Sequence, residues 1–221
     1  MHGSGNKSSI IDVLSRDIEY IDSVLKVKDS VREDVIKIVR EITRYSGDSI
    51  RYIHTGDYHK AKECLEKAGN QVVSLKDKLR DHPDLYYSGL VYNGLSEYVE
   101  ALLTYSLVVE NKLIGFREID IPIPPYLQGL GDVVGELRRY ILTLIGKGAV
   151  NEATHYLELM EIIYEYLKKL IYPDPLTPGL RHKIDIARRL IEDTKTLLIS
   201  IKNMNELSRL IERELEKAKY K

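Results

Sequence analysis

GLSEYVEALL, residues 94–103, places Glu97 and Glu100 three apart in a run that is otherwise apolar or small. No lysine or arginine stands three or four positions from either glutamate, so neither charge has a partner along its own helix. Val91, Leu95, Val99 and Leu102 recur at helical spacing and predict a core-facing stripe, with the glutamates on the other side. Leu90, Leu107 and Val108 flank the glutamates, so that second face is not uniformly polar. A helix apolar nearly all round is an enclosed one. The stretch therefore points to an all-α bundle in which this helix meets more than its own subunit's core, leaving surface for another subunit or an enclosed space.

A second acidic pair lies downstream in PPYLQGLGDVVGELRRYIL, residues 124–142. Asp132 and Glu136 share a helical face opposite the stripe of Leu130, Val133, Val134, Leu137, Ile141 and Leu144. The loop between the two segments is long enough for side-by-side antiparallel packing, which would bring four carboxylates together. Like charges at these spacings repel by roughly 0.2–0.5 kcal/mol per pair unless a proton or cation compensates. Hard divalent cations such as Mg²⁺ take oxygen ligands of this kind and can activate a water against a phosphodiester. The competing reading is two solvated acidic faces; Glu158, Glu161 and Glu165 repeat the spacing without any such promise. Spacing alone leaves both open.

Nearly all of the remaining chain reads as helix. Ser9 can cap an amphipathic segment to about Lys26, carrying Ile10, Val13, Leu14, Ile18, Ile21 and Leu25. Ser30 and Glu33 form a capping-box pattern that opens a second helix through Val35, Ile38, Val39, Ile42, Ile50 and Ile53. Thr55-Gly56-Asp57 ends it and starts a third, to about Arg80; Asp84 can cap the fourth, to about Asn111. Residues 112–125 include IDIPIPP, whose prolines predict extended chain. A fifth helix spans residues 126–147 and is closed by Gly146 and Gly148; a sixth spans about 151–172. Pro173, Pro175 and Pro178 stiffen the turn into a seventh, which runs to about Lys202, and Asn203 or Asn205 can cap a short terminal helix to Lys219. The expectation is one all-α domain, residues 9–221, of about seven long and mostly antiparallel helices, after a flexible leader at residues 1–8.

The composition excludes several classes. The 33 basic and 34 acidic side chains nearly cancel, so a polyanion would have to be held by a local patch. One cysteine, Cys64, excludes an internal disulfide and a cysteine-built zinc site, which suits a reducing cytoplasm. No apolar run approaches the ~20 residues that span a bilayer. Cys64 itself reads as a small buried apolar residue. Glu152 and His155 match half of a di-metal bundle motif that needs two copies, so His155 reads as a surface residue. His54, His59 and His82 have no partner at metal-binding spacing.

GLSEYVEALL followed by PPYLQGLGDVVGELRRYIL resembles the paired signature of the translin family, and most closely its translin-associated factor X branch with the archaeal single-chain relatives. VREDVIKIVREITRYSGDSIRYIHTGDYHKAKECL (31–65) and LRHKIDIARRLIEDTK (180–195) extend the resemblance over residues 30–202. It differs in having Gly131 where alanine is usual and in lacking the acidic loop of the animal subunit. The resemblance implies a seven-helix subunit assembling into a hollow homo-oligomer, commonly an octamer, that binds single-stranded RNA and single-stranded DNA. It further implies a Mg²⁺-dependent endoribonuclease, with Mn²⁺ as an alternative ion, whose metal-binding and catalytic acids would be Glu97, Glu100, Asp132 and Glu136. Translin itself lacks these acids, so their presence here favours the nuclease branch over the rival reading of a non-catalytic single-strand-binding assembly; a helical scaffold that never touches nucleic acid is a second rival. Arg138, Arg139, Arg181, Lys183, Arg188 and Arg189, with His182, are candidates to hold phosphates, against the alternative of ordinary surface ion pairs such as Glu136 with Arg139.

Overall fold

The computed structural model describes residues 4–219, and every long element is a helix. The order is α1 (Ser4–Thr55), α2 (Tyr58–Lys78), a single turn α3 (Pro83–Tyr86), α4 (Gly89–Val108), a 3-10 turn at Phe116–Glu118, α5 (Ile123–Gly146), α6 (Val150–Leu167) and α7 (Leu180–Lys219). No strand occurs among the described residues. α1 packs on α2 and α4, α4 on α5, and α5 on α6 and α7, so α4 and α5 form the middle of the bundle. The stripes anticipated on both are the core: Val91, Leu95, Val99, Val133, Val134, Leu137 and Ile141 are fully buried.

Where the chain turns, the sequence signals are mostly met. Gly56 takes a left-handed φ of 81°, and Asp57 N–H then bonds back to the Tyr52 carbonyl. The Asp57 side chain caps α2 by accepting from the Lys60 amide. Gly148, with φ 76°, closes α5 in the same way, its neighbour Ala149 donating to the Leu144 carbonyl.

Several boundaries differ from expectation. The first two expected helices are one 52-residue helix, with Ser9 and Ser30 both inside it. No glycine or proline interrupts residues 26–30, so continuing costs less than a cap would gain. For the same reason α7 runs unbroken through Asn203 and Asn205 for 40 residues. The expected fourth helix is split instead: α3 ends at Tyr86, α4 starts anew after Ser88, and Asp84 pairs with Lys28 rather than capping. Pro124 and Pro125 belong to the first turn of α5, where amides have no intrahelical acceptor and proline is tolerated. α6 stops at Leu167, and α7 begins beyond Pro178, after Gly179 at φ 74°. Of the expected leader, residues 4–8 are helical and residues 1–3 lie outside the described residues. Cys64 is only partly buried, whereas His155 is exposed as anticipated.

Most of the apolar surface around α4 is covered within the subunit, with Leu90 left exposed, so little of it remains for a second copy. Ala101, Leu103, Tyr105 and Leu107 are buried, because α1 and α2 cover the side that α5 does not. Uncovered apolar surface lies elsewhere. Burial along α1 starts only at Val31 and Val35, and Ile10, Leu14, Ile18, Ile21 and Leu25 are exposed. Burial along α7 ends near Ile201, leaving Met204, Leu207, Leu210, Ile211 and Leu215 exposed. Both ends are helical arms that extend beyond the packed body.

Candidate functional site

Two missing side chains set the approach of α4, α5 and α7. A Cβ on Gly129 would stand 2.7 Å from the Ser96 carbonyl oxygen and 2.7 Å from Val99 Cβ, so α5 lies backbone-close to α4 one residue from Glu97. A Cβ on Gly131 would stand 3.0 Å from Lys183 Cβ, so α7 presses on α5 beside Asp132. Gly129 and Gly131 of GLGDVVG thus serve helix approach. They bring Glu97 and Glu100 of α4 against Asp132 and Glu136 of α5. All four are partly buried.

The four carboxylates feel one another. Burial first, and then the neighbouring Asp132, Glu97 and Glu136 charges, push the Glu100 carboxyl up to about 8, with Lys183 opposing. Glu97 is raised by burial and by Asp132, against Lys183, and less by Glu136. The acids of α6 differ: Glu161 pairs with Lys195 and Glu165 with Lys168. Among the described residues neither Glu97 nor Glu100 has an ion-pair partner. The answer to the unbalanced glutamates is therefore a convergent acidic cluster at a helix–helix contact.

The other two acids are partnered by residues far away in sequence. Lys183 Nζ donates to Asp132 Oδ1 at 2.5 Å, with side chains 31% and 28% exposed. His54, near the end of α1, places Nε2 2.5 Å from Glu136 Oε2, and its side chain is only 6% exposed. Sequence reading missed His54, because 82 residues separate it from Glu136 and no local spacing links them. Lys183 had been grouped with the phosphate candidates; it sits instead among the acids. The remaining cations do not share one surface. Arg138 is partly buried, with Nε unpartnered, while Arg139 is exposed and 3.8 Å from Glu136 Oε2. Arg181 and Arg188 line grooves beside α6, and His182 and Arg189 are exposed.

A hard divalent cation would find the right donor chemistry here: all-oxygen ligands, excess negative charge and partial burial. As the side chains stand, no three His, Cys, Asp or Glu groups among the described residues are gathered closely enough to hold one. The ammonium of Lys183 takes that place at Asp132. The residue types fit the ion, and the Asp132–Lys183 pair has to open for it.

Three comparisons bear on identity. Residues 30–202 match the translin family, and this span coincides with the packed body between the two arms. The chain is 36% identical over 180 residues to an uncharacterized protein of Methanocaldococcus jannaschii, covering 80% of this chain and 79% of that one. It is 24% identical over 185 residues to the translin-associated protein X homolog of Schizosaccharomyces pombe, covering 76% and 80%. Among solved structures it resembles AfC3PO in complex with duplex RNA, with a TM-score of 0.80 and 33% identity over 85% of this chain and 97% of that chain. Apo-NeC3PO shares the fold at a TM-score of 0.75 and 23% identity, over 82% and 95%. No helix among the described residues is long and apolar enough to cross a membrane. The chain belongs to the translin family.

Proposed function

We propose that this protein is an oligomeric endoribonuclease that cuts single-stranded or flexible RNA at the cluster of Glu97, Glu100, Asp132 and Glu136, with Mg²⁺ or Mn²⁺ as its ion. The carrying observation is the convergence of four acids from two helices into one partly buried site, two of them without a cationic partner. A bound divalent ion would supply an activated water and take up charge on the phosphodiester. The protein's share is to hold the acids. Gly129 fixes the α4–α5 spacing, His54 anchors Glu136, and Lys183 holds Asp132 until it is released. Glu100 gives up its proton when the site takes a cation, so ion affinity rises with pH. Similarity to a structure of AfC3PO bound to duplex RNA supports RNA as the ligand class, and it extends the ligands to be tested from single strands to duplexes. Arg138 and Arg139, which follow the acids on α5, are the nearest phosphate contacts; Arg181, Arg188 and Arg189 are further along α7. In this reading the exposed arms of α1 and α7 are buried between copies in a closed homo-oligomer, with an octamer expected.

The test is cleavage of a labelled single-stranded RNA and of a duplex by the purified protein with Mg²⁺ or Mn²⁺, comparing the parent with Glu100→Gln. Cleavage that stops on chelation and falls at least about a hundredfold in Glu100→Gln supports the proposal. Equal rates, or activity surviving excess chelator, overturn it. A second reading, a non-catalytic assembly that binds single-stranded RNA or DNA, is favoured by one observation: two of the acids are already engaged, Asp132 by Lys183 and Glu136 by His54. Tight RNA binding with no cleavage across a panel of divalent ions would select it.

A further inference from the structure

We propose that His54 is a positioning residue, which holds the Glu136 carboxylate turned into the acidic cluster and away from solvent. The inference rests on the nuclease reading above and adds to it a residue from a third helix. Glu136 Oε2 has two nitrogen donors within reach, and they pull in different directions. Arg139, one turn along α5, is 58% exposed and stands 3.8 Å away, the loose geometry of a surface pair. His54 is buried, 2.5 Å away, and comes from α1, on the far side of α4 in the packing order. A carboxylate oxygen can only accept, so Nε2 carries the proton and donates. The other ring nitrogen, Nδ1, is buried and has no partner. Among the described residues nothing else polar fixes the ring, and its one bond there is the one to Glu136. The ring is seated by packing, with Tyr140 at 6.3 Å between centroids.

A buried donor with a single acceptor is an expensive arrangement if its only task is to join helices; apolar contact would do that without the unpaired nitrogen. It makes sense where the aim of the acceptor matters. Residues that hold the ligands of a metal site typically change ion affinity by about 10–100-fold when removed. Without His54, Glu136 is free to turn to Arg139, and the cluster is left with three inward acids.

Amide side chains separate orientation from mere presence. In His54→Gln the amide nitrogen falls near the place of Nε2 and can still donate to Glu136; in His54→Asn it falls near Nδ1 and cannot reach. His54→Leu removes the donor and keeps the bulk. Each full-length variant, checked for helix content and assembly mass, is titrated with Mn²⁺ alone, the free ion being read by electron paramagnetic resonance. The expected result is a dissociation constant about 10–100-fold weaker in His54→Leu and His54→Asn, with most of the loss recovered in His54→Gln. Should His54→Leu not fold, the contrast of His54→Asn with His54→Gln decides. Parent-like affinity in His54→Asn overturns the positioning role while leaving the nuclease reading intact. A parent protein that binds no Mn²⁺ overturns both, and that failure shows in the parent rather than in the variants.

Discussion

Glu100 offers the most direct quantitative check on the acidic cluster, because its charge should cost the fold free energy whenever no cation is present. Its carboxyl lies at about 8 in the folded protein, against 4.5 ordinarily, through burial and the neighbouring Asp132, Glu97 and Glu136. The folded state therefore binds a proton more tightly than the unfolded chain does. Stability from this group is fully present below pH 4.5, declines as pH rises, and levels off above pH 8. At about 1.4 kcal/mol per pH unit, that window caps the loss at about 5 kcal/mol. Rotation of Glu100 toward water relieves part of it, so a loss of about 1–3 kcal/mol between pH 5 and pH 9 is expected. Glu100→Gln removes the charge while keeping the shape, and the variant should gain on the parent as pH rises. The assay is guanidinium unfolding in chelator at several pH values and one fixed protomer concentration, since assembly shifts apparent stability. Millimolar Mg²⁺ should shrink the gap by stabilising the parent. A parent-minus-variant difference that stays flat from pH 5 to pH 9 would refute a shared acidic site.

Gly129→Ala should lower stability by about 1–3 kcal/mol and raise the Mn²⁺ dissociation constant, because its Cβ meets the Ser96 carbonyl and pushes α4 from α5; a thermal melt at parent temperature refutes the close-contact argument. Lys183→Met removes the ammonium that competes for Asp132 and should tighten Mn²⁺ binding by about fivefold, the equivalent of ~1 kcal/mol, as read by the same spin-resonance titration; weaker binding would make Lys183 a helper rather than a competitor. Light scattering at micromolar concentration should give a mass several-fold above the 25.4 kDa subunit, and replacing Leu207, Leu210 and Leu215 with serine should reduce it. A parent mass near one subunit would remove the assembly.

The parts of this fold that could be read from sequence were those encoded locally. The stripes of α4 and α5, the glycine turn at Gly56, the Asp57 cap and the four acids all follow from spacings within a few residues. Ser30 and Glu33 misled because a capping box states what a helix start would look like, whereas only a glycine or proline forces one. The break at Tyr87 and Ser88 has no such breaker just before it and was read through. Lys183 and His54 lie 51 and 82 residues from the acids they meet, so only the packing of α7 and α1 on the bundle shows their roles. The surplus apolar surface assigned to α4 is real in the sequence; its cover comes from α1 and α2 of the same chain.

The two overhanging arms also have a consequence for how the protein is made. The α1 arm is made before the helical body that follows it, and the α7 arm comes only after about 180 further residues. At ~5–20 residues per second, that interval lasts roughly 10–40 s. The folded chain leaves Ile10, Leu14, Ile18, Ile21 and Leu25 exposed, so during that interval one copy gives them no cover. Neighbouring ribosomes on one message would carry such arms at high local concentration, so assembly can begin between chains still in synthesis. A polysome carrying this message would then be a site of subunit pairing, and copies from one message would meet before copies from different ones.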